Sequence, residues 1–318
     1  CDWFDPRIGA SSHMDDSFSG TIYRIAPKNF HPVIAKLDLS TTAGRVAALR
    51  SPAINTRYLG FRALKAQGAG AFPAVAELLK EGNKWVAARG AWLLPYLGDK
   101  GVQACVAMLG DKAATQRVLA YRALRRSGHD MLAHARRMSM DTSPQVRREI
   151  ALSLRDIPAA KTTDIFVELA RRCDTSDKNS LEAIGLGAAN QESVIWTAIR
   201  EGLSPGKPSE WSERFERLTW RLWAAASIDD LRLRAMDQSL SLQKRKFAVE
   251  SIAFIDDARA CRVMLELAAG QSPLKGDATA WLLRNAAGEW AKHDINRSMK
   301  EKGIYDPDAI KVVTAPVP

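Results

Sequence analysis

The apolar positions between residues 41 and 292 recur at i, i+3, i+4 and i+7, which is the spacing of one face of an α-helix. "AFPAVAELLK" and "NKWVAARGAWLLPYLG" show the pattern, and short turns rich in Gly or Asp separate such segments. One helical segment follows another, without strand-like alternation between them. The pattern predicts an all-α region built from successive pairs of helices.

The helical segments repeat. "RYLGFRALKAQG", Arg57 to Gly68, returns in altered form as "RVLAYRALRRSG", Arg117 to Gly128. An alanine aligns in the second helix of each pair at steps of about 30 residues, the period of stacked helical units; the set is Ala63, Ala91, Ala123, Ala151, Ala183, Ala248 and Ala280. We expect this small residue where neighbouring helices approach closely, since a larger side chain would separate them. The Pro- and Gly-containing residues 200–216 predict an inserted loop before a long helix with Trp220 and Trp223.

A two-helix unit of this size cannot bury its apolar face alone, so consecutive units are expected to stack. The prediction is a right-handed α-solenoid of about eight helical pairs over residues 41–292. In "SPQVRREIALSL", Ser143 is the expected N-cap and Pro144 the first helical residue. The "VRREIA" stretch, Val146 to Ala151, resembles the second helix of HEAT repeats.

The ends of the chain have a different pattern. "CDWF" and "GTIYRIAP" have the aromatic and β-branched content of strands, and a polar loop separates them. Two strands alone are marginal in water, so residues 1–28 are interpreted as a β remnant of a domain that lies upstream. Residues 29–40 are then a linker, and residues 293–318 a C-terminal linker or tail.

The order "DWFDPRIG", "GTIYRIAPK", "LRSPAINTRYLGFRAL" resembles large bacterial membrane-bound dehydrogenases. In these proteins a sorbosone/glucose dehydrogenase-like β-propeller is followed by HEAT repeats and often by a c-type cytochrome domain. The resemblance implies that residues 1–28 end the last propeller blade, and that the parent is an exported oxidoreductase, periplasmic or membrane-associated. This chain lacks most of the propeller and any C-x-x-C-H haem motif. We therefore expect no cofactor and no catalysis from the chain itself.

The charge balance adds a candidate binding surface. The chain has 46 Lys and Arg against 36 Asp and Glu. Several arginines fall on successive second helices, which in a solenoid commonly line the concave face, where they would attract acidic proteins or phosphates. The candidate binding residues are Arg57, Arg62, Trp85, Arg89, Arg117, Arg122 and Arg147. The structural alternative is that these arginines pair with carboxylates of neighbouring repeats or cover apolar surface with their stems.

The aromatic residues keep a second function open. Trp85 and Arg89 share a helical face, and HEAT-like alkyl-purine DNA glycosylases use aromatic and acidic residues on a basic concave face, so a nucleic-acid-binding protein or DNA glycosylase is the alternative. Most tryptophans, as in "LTWRLWAAA", have core spacing. Adjacent carboxylates such as Asp256 and Asp257 favour helix caps over acid–base pairs, and no catalytic residue is nominated.

The cysteines and histidines are dispersed. Cys105, Cys173 and Cys261 are expected to be small buried apolar residues, and no His or Cys spacing indicates zinc. His13 with Asp15 and Asp16 is interpreted as a solvated turn in preference to a cation site. No stretch is long and apolar enough to span a membrane. The sequence thus predicts a non-catalytic scaffold that binds a protein partner or a neighbouring domain of its parent through the concave face.

Overall fold

The computed structural model describes residues 25–31, 36–306 and 309. The described residues form α-helices joined by turns and short 3₁₀ segments, with no strand among them, so the predicted all-α class is confirmed. Residues 1–24, which include most of the predicted β remnant and the His13 loop, lie outside the described residues, and residues 25–28 contain no strand. The β remnant therefore stays a prediction.

The helices form two layers. The odd-numbered layer contains α1 (Thr42–Arg50), α3 (Phe72–Leu78), α5 (Gly98–Met108), α7 (Met131–Met138), α9 (Thr163–Arg171), α11 (Glu192–Leu203), α13 (Ile228–Met236), α15 (Ala258–Ala269) and α17 (Ile295–Glu301). The even-numbered layer contains α2 (Ile54–Gln67), α4 (Lys84–Leu93), α6 (Ala114–Ser127), α8 (Pro144–Ser153), α10 (Lys178–Gly187), α12 (Glu213–Leu222), α14 (Leu242–Ala253) and α16 (Lys275–Asn285). Each even helix packs against the even helices before and after it, which gives a solenoid-like stack.

Local chemistry sets where the helices begin. Side-chain oxygens of Asn83, Asp130, Asp177 and Ser241 accept N–H bonds from the first turns of their helices. These bonds satisfy donors that have no partner within the helix. The helix beginning at Pro144 after Ser143 is confirmed, although the Ser143 side chain makes no capping bond.

One continuous core lies between the layers. It is built from aliphatic side chains of both, with large buried residues such as Tyr121, Phe166 and Phe215. Cys105, Cys173 and Cys261 are free thiols buried within it, as predicted.

Most of the aligned alanines occupy the expected close contacts. Ala91, Ala123, Ala151, Ala183 and Ala248 are buried, and Ala63 is partly buried. Ala280 is exposed, and Ala278 is the buried alanine of α16, so the predicted register is wrong there by two residues. The reason is physical: turn lengths differ between pairs, and the rotation of each helix is set by its own apolar stripe.

The predicted inserted loop is shorter than residues 200–216. Residues 200–203 end α11, residues 204–212 form the connection, and α12 begins at Glu213. Helix α12 has ten residues and is not long. It ends before Trp223, whose backbone is left-handed with φ +50° and ψ +35°.

A glycine lies at a close contact between two neighbouring even helices. A Cβ on Gly187 of α10 would lie 2.1 Å from the Ala151 carbonyl oxygen of α8. That distance is far below van der Waals contact, so the backbones of α8 and α10 meet here without room for a methyl group. A Cβ on Gly276 of α16 would meet nothing within 4 Å.

We predict that Gly187→Ala lowers the free energy of unfolding by about 2–3 kcal/mol, because the added methyl group forces the two helices apart. Gly276→Ala is the matched control, and it should be neutral or stabilising by up to about 1 kcal/mol, since alanine is the better helix former. Urea unfolding followed by circular dichroism measures both. Equal effects of the two substitutions would contradict the close packing of α8 on α10.

Candidate functional site: the exposed face of the even helices

We define the even-helix face as the solvent-exposed side of the layer formed by α2 to α16. Of the seven predicted binding residues, six lie on α2, α4 and α6, two on each helix, and the seventh, Arg147, lies on α8. The structure therefore places all seven on consecutive even helices. Their individual contacts divide them into two groups.

The first group binds turns of the chain itself. Arg57 donates to the carbonyl oxygens of Ser51 and Pro52. Arg117 donates in the same way to Asp111 and Lys112, at 2.8 and 3.1 Å. These arginines each occupy the fourth position of their helix and reach back five and six residues to the preceding turn.

Two further arginines repeat the geometry. Arg147 donates to the carbonyls of Asp141 and Thr142 at 2.6 and 3.0 Å. Arg45, in the fourth position of α1, donates to Leu39 and Ser40 at 2.8 and 3.1 Å. We call Arg45, Arg57, Arg117 and Arg147 the turn arginines. Carbonyls in the turns before a helix have no helical partner, so a guanidinium that bridges two of them fixes the turn.

Arg117 also connects neighbouring pairs of helices. Its Nε and Nη2 donate to the two carboxylate oxygens of Asp141, at 2.8 and 2.6 Å, and both side chains are nearly buried. Burial alone would raise the pKa of Asp141, but the bonds from Arg117 and from the Ser143 N–H outweigh it, so the pKa of Asp141 is lowered. The bond to Asp141 likewise raises the pKa of Arg117.

Arg89 and Arg122 are also engaged internally. Arg89 Nη1 donates to Leu49 and Ser51 carbonyls at 2.9 and 3.4 Å. The pKa of Arg89 is lowered, mainly by burial and also by the positive charge of Arg57. The two arginines donate to the same Ser51 carbonyl. Arg122 pairs with Glu149 of α8 at 2.5 Å.

The second group is exposed. Arg62 lies 5.6 Å from the centroid of the Tyr58 ring and makes no ion pair within the described part of the chain. Trp85 is 66% exposed, and the cation over its ring is Lys84, at 5.2 Å, rather than the predicted Arg89. Arg117 and Arg122 therefore pair with carboxylates of the next helical pair, as the structural alternative expects. Arg57, Arg89 and Arg147 bind carbonyl oxygens of the chain, which that alternative did not include. The predicted binding role of the seven residues stays a prediction.

Sequence reasoning expected pairing between neighbouring repeats as an alternative but did not identify the partners, and ion pairs of this kind cross the middle of this face. Arg148 of α8 pairs with Asp177 at 2.8 Å, and Arg221 of α12 pairs with Glu182 of α10 at 2.8 Å. With the pair of Arg122 and Glu149, they link α6, α8, α10 and α12. The partners are 27 to 39 residues apart, so the sequence pattern around each arginine does not indicate them.

Three open grooves follow one another along the face. The N-terminal groove, about 230 Å³, is lined by Tyr58, Phe61 and Trp92 among others. The central groove, about 430 Å³, lies over α6, α8 and α10, with Val118, Leu152, Ala183 and Leu186 between the ion pairs and the side chains of Gln145 and Asn179. The C-terminal groove, about 770 Å³, is lined from α10, α12 and α14 and includes Trp220 and Phe247.

Burial raises the pKa of the thiols of Cys105 and Cys261 to about 12 and that of Cys173 to about 11, so all three stay protonated at neutral pH. Within residues 36–306, no group of three or more His, Cys, Asp or Glu side chains is placed to hold a metal ion. The described helices include none with the length and apolar content needed to cross a bilayer.

No family model and no curated protein matches the chain. Among solved structures, one described as the crystal structure of an engineered protein from the Northeast Structural Genomics Consortium aligns with 82% of this chain and 88% of its own. The two share 14% identity, with a TM-score of 0.38. A likeness of this degree says nothing about what the chain binds.

The pair of hydrogen bonds between Arg117 and Asp141 leads to a prediction about stability. Arg117→Ala should lower the free energy of unfolding by about 3 kcal/mol at pH 7, because it leaves the Asp141 carboxylate nearly buried without its partner. Arg62→Ala, at the exposed arginine of α2, is the control and should change stability by less than about 0.5 kcal/mol. Chemical denaturation of the two variants and the parent provides the comparison.

The same bond predicts a pH dependence. Since the folded-state pKa of Asp141 is lowered, its stabilisation is complete above the unfolded pKa of about 3.9 and is lost as the pH falls through the folded value. The difference in unfolding free energy between the parent and Arg117→Ala should therefore be constant from pH 7 to about 5 and shrink below about 4. A difference that does not change down to pH 2.5 would show that Asp141 is not the partner that matters.

Proposed function

We propose that this chain is a non-catalytic, HEAT-like scaffold that binds an extended segment of a protein through the even-helix face. The observation that carries the proposal is the combination of exposed apolar side chains with charges that are already paired. Leu152 and Leu186 are 42% and 43% exposed beside the ion pairs of Arg122 with Glu149 and Arg148 with Asp177. The central groove therefore offers apolar contact and side-chain amides beside charged side chains that are already paired.

The shape of the face supports a polymer as the ligand. Its three grooves are open and consecutive, so they suit a segment that runs across several helices better than a compact molecule, which binds in one concave pocket. Gln145 and Asn179, each at the second position of its helix, line the central groove with exposed amides. Amides donate and accept hydrogen bonds, as the backbone of an extended peptide requires.

The resemblance to membrane-bound dehydrogenases would give the scaffold a context. In that context the partner is the parent's own propeller or cytochrome domain, and the location is periplasmic or membrane-associated. A separate protein partner fits the same face. The nucleic-acid alternative loses support, because five of the six arginines among the predicted binding residues bind carbonyls or carboxylates of the chain.

The proposal predicts that peptides selected for binding depend on the even-helix face. Random sixteen-residue peptides displayed on phage would be selected against the immobilised chain, and the enriched sequences measured by fluorescence anisotropy. Leu152→Asp with Leu186→Asp should weaken binding of the main class of peptides about tenfold or more, since each substitution places a carboxylate in the central groove.

The matched control is Val194→Asp with Leu233→Asp, on α11 and α13 of the odd layer, where the side chains are 55% and 53% exposed. This pair should change affinity by less than about twofold. A generic DNA duplex is measured beside the peptides at low and physiological salt. Tight, steeply salt-dependent duplex binding with no enriched peptide would overturn the scaffold in favour of nucleic acid.

A further inference from the structure

Five aromatic rings form a connected surface at the C-terminal end of the even-helix face. Three of them lie on α12, α14 and α16, and the other two lie directly after the ends of α12 and α14. The rings are those of Trp220, Trp223, Phe247, Phe254 and Trp281, which we call the aromatic patch. Neighbouring ring centroids lie 5.5 to 6.3 Å apart.

The patch is left open to solvent. Trp223 is 42% and Phe254 is 37% exposed, and their rings stack at 5.8 Å with an interplanar angle of 15°. Trp220 and Phe247 continue the patch into the C-terminal groove. Sequence reasoning placed Trp220 and Trp223 in the core, which is wrong for Trp223. Clustered exposed rings of this kind mark interaction surfaces in proteins that fold as monomers.

The backbone at Trp223 is strained. Its φ of +50° lies in the left-handed region, which a bulky side chain adopts at a cost. At the corresponding end of α6 the chain uses glycine, Gly128, with φ +82°. A glycine would fit the turn after α12 better, so folding alone does not explain why a tryptophan occupies it; strain that persists is a reason to look for function.

The charge around the patch is positive after internal pairing. The Arg284 guanidinium lies 5.0 Å from the Trp281 centroid and makes no ion pair among the described residues. Arg221 lies 4.6 Å from the Trp223 centroid and is paired with Glu182. Among the nearby carboxylates, Asp277 pairs with Lys246 at 3.2 Å.

The charged side chains of the C-terminal groove also leave a net positive charge once their ion pairs are counted. Glu213 pairs with Arg217 at 2.7 Å. Glu216 is shared by the buried Arg234 and by Lys244, which lies 3.9 Å away. Because Glu216 balances only one of these two cations, Lys244 adds an unbalanced positive charge, and Arg284 adds another. Glu250 is the acidic residue of this groove without an ion pair in the described chain, so one positive charge remains in excess. The surplus favours a ligand with a few carboxylates, whereas three glutamates in the groove disfavour a continuous run of phosphates.

The dimensions favour an extended segment. The ring centroids from Phe247 through Trp220 and Phe254 to Trp281 are 6.3, 6.0 and 5.5 Å apart, so the patch extends for about 18 Å at most. A polyproline II segment rises about 3.1 Å per residue and would cover it with five or six residues. Such a segment is already extended before it binds, so it loses little entropy, and aromatic-lined grooves commonly receive it.

We propose that the aromatic patch is the docking site for a proline-rich extended segment of a protein partner that carries acidic residues beside its prolines. This proposal rests on the proposed function and gives the partner a chemistry. Trp223 and Phe254 would stack on proline rings, and Arg284 would bind a carboxylate of the segment.

The test uses the full chain and a fluorescein-labelled peptide of twelve residues, made of prolines and leucines with two glutamates. A second peptide has lysines in place of the glutamates, and a third has Gly and Ser in place of the prolines and leucines. The first peptide should bind at least about tenfold tighter than either, as measured by anisotropy, because it alone has both the stacking groups and the carboxylates. Equal binding of the first two peptides would overturn the acidic requirement, and equal binding of the first and third would overturn the stacking.

Variants locate the site. Trp223→Gly removes the ring and supplies the residue that the left-handed turn favours, so it should lower affinity about tenfold while shifting the melting temperature by no more than about 3 °C. Phe254→Ala should also lower affinity, and Arg284→Gln should lower it and reduce its salt dependence. Val194→Asp with Leu233→Asp, on the odd layer, is the control and should leave this peptide's affinity unchanged. Retained affinity in both Trp223→Gly and Phe254→Ala would overturn the proposal.

The experiments distinguish a wrong docking site from a wrong scaffold function. If phage-selected peptides bind and depend on Leu152 and Leu186 but not on Trp223 and Phe254, the scaffold stands and the aromatic site is overturned. If no peptide binds the chain by either route, both proposals fall. A twelve-residue oligothymidylate that binds through Trp223 more tightly than the acidic peptide would reassign the patch to single-stranded nucleic acid.

Discussion

The turn arginines are the recurring interaction that orders the first part of the stack, on α1, α2, α6 and α8. Each of Arg45, Arg57, Arg117 and Arg147 bridges two carbonyl oxygens five and six residues earlier, and so fixes the angle at which its own helix follows the preceding turn. In a stack of helices, an error in one such angle is passed to every later pair. Arg117 and Arg147 also bind the next turn along, through Asp141 and the Arg172 carbonyl, so the orientation of one pair is tied to the next.

The repeat in the sequence predicted much of the fold. The period of the apolar positions was sufficient for the all-α class and for the alternation of helices, because amphipathic periodicity and burial have the same cause. The residue-by-residue alignment of the repeats was less reliable. Arg117 and Arg147 are 30 residues apart and equivalent in structure, whereas Ala123 and Ala151 were aligned at 28. The turn arginine fixes the start of a helix, but a buried alanine can occupy more than one position on the inner side of that helix.

The candidate site was harder to predict, because repetition selects residues that the fold needs. The arginines stood out in the sequence since they recur, and Arg57, Arg117 and Arg147 recur because the turns before their helices present equivalent carbonyl oxygens. A binding surface in a stack is made instead by residues that differ from one pair to the next. Trp223, Phe254 and Trp281 are separated by 31 and 27 residues, have no shared motif, and meet only because α12, α14 and α16 are neighbours. The left-handed turn that exposes Trp223 has no sequence signal, since glycine would be expected there.

An exposed aromatic surface near one end of a helical stack has a simpler explanation: terminal units show apolar surface that a further unit would cover. That explanation fits Trp281, which lies on the last even helix described. It does not fit Trp223 or Phe254. Helix α12 packs between α10 and α14, and α14 packs between α12 and α16, so the residues that follow these helices already have neighbours on both sides of the layer. A further unit would pack on α16 and not on α12 or α14, which is why a ligand on the even-helix face accounts for the patch better than a missing helix does.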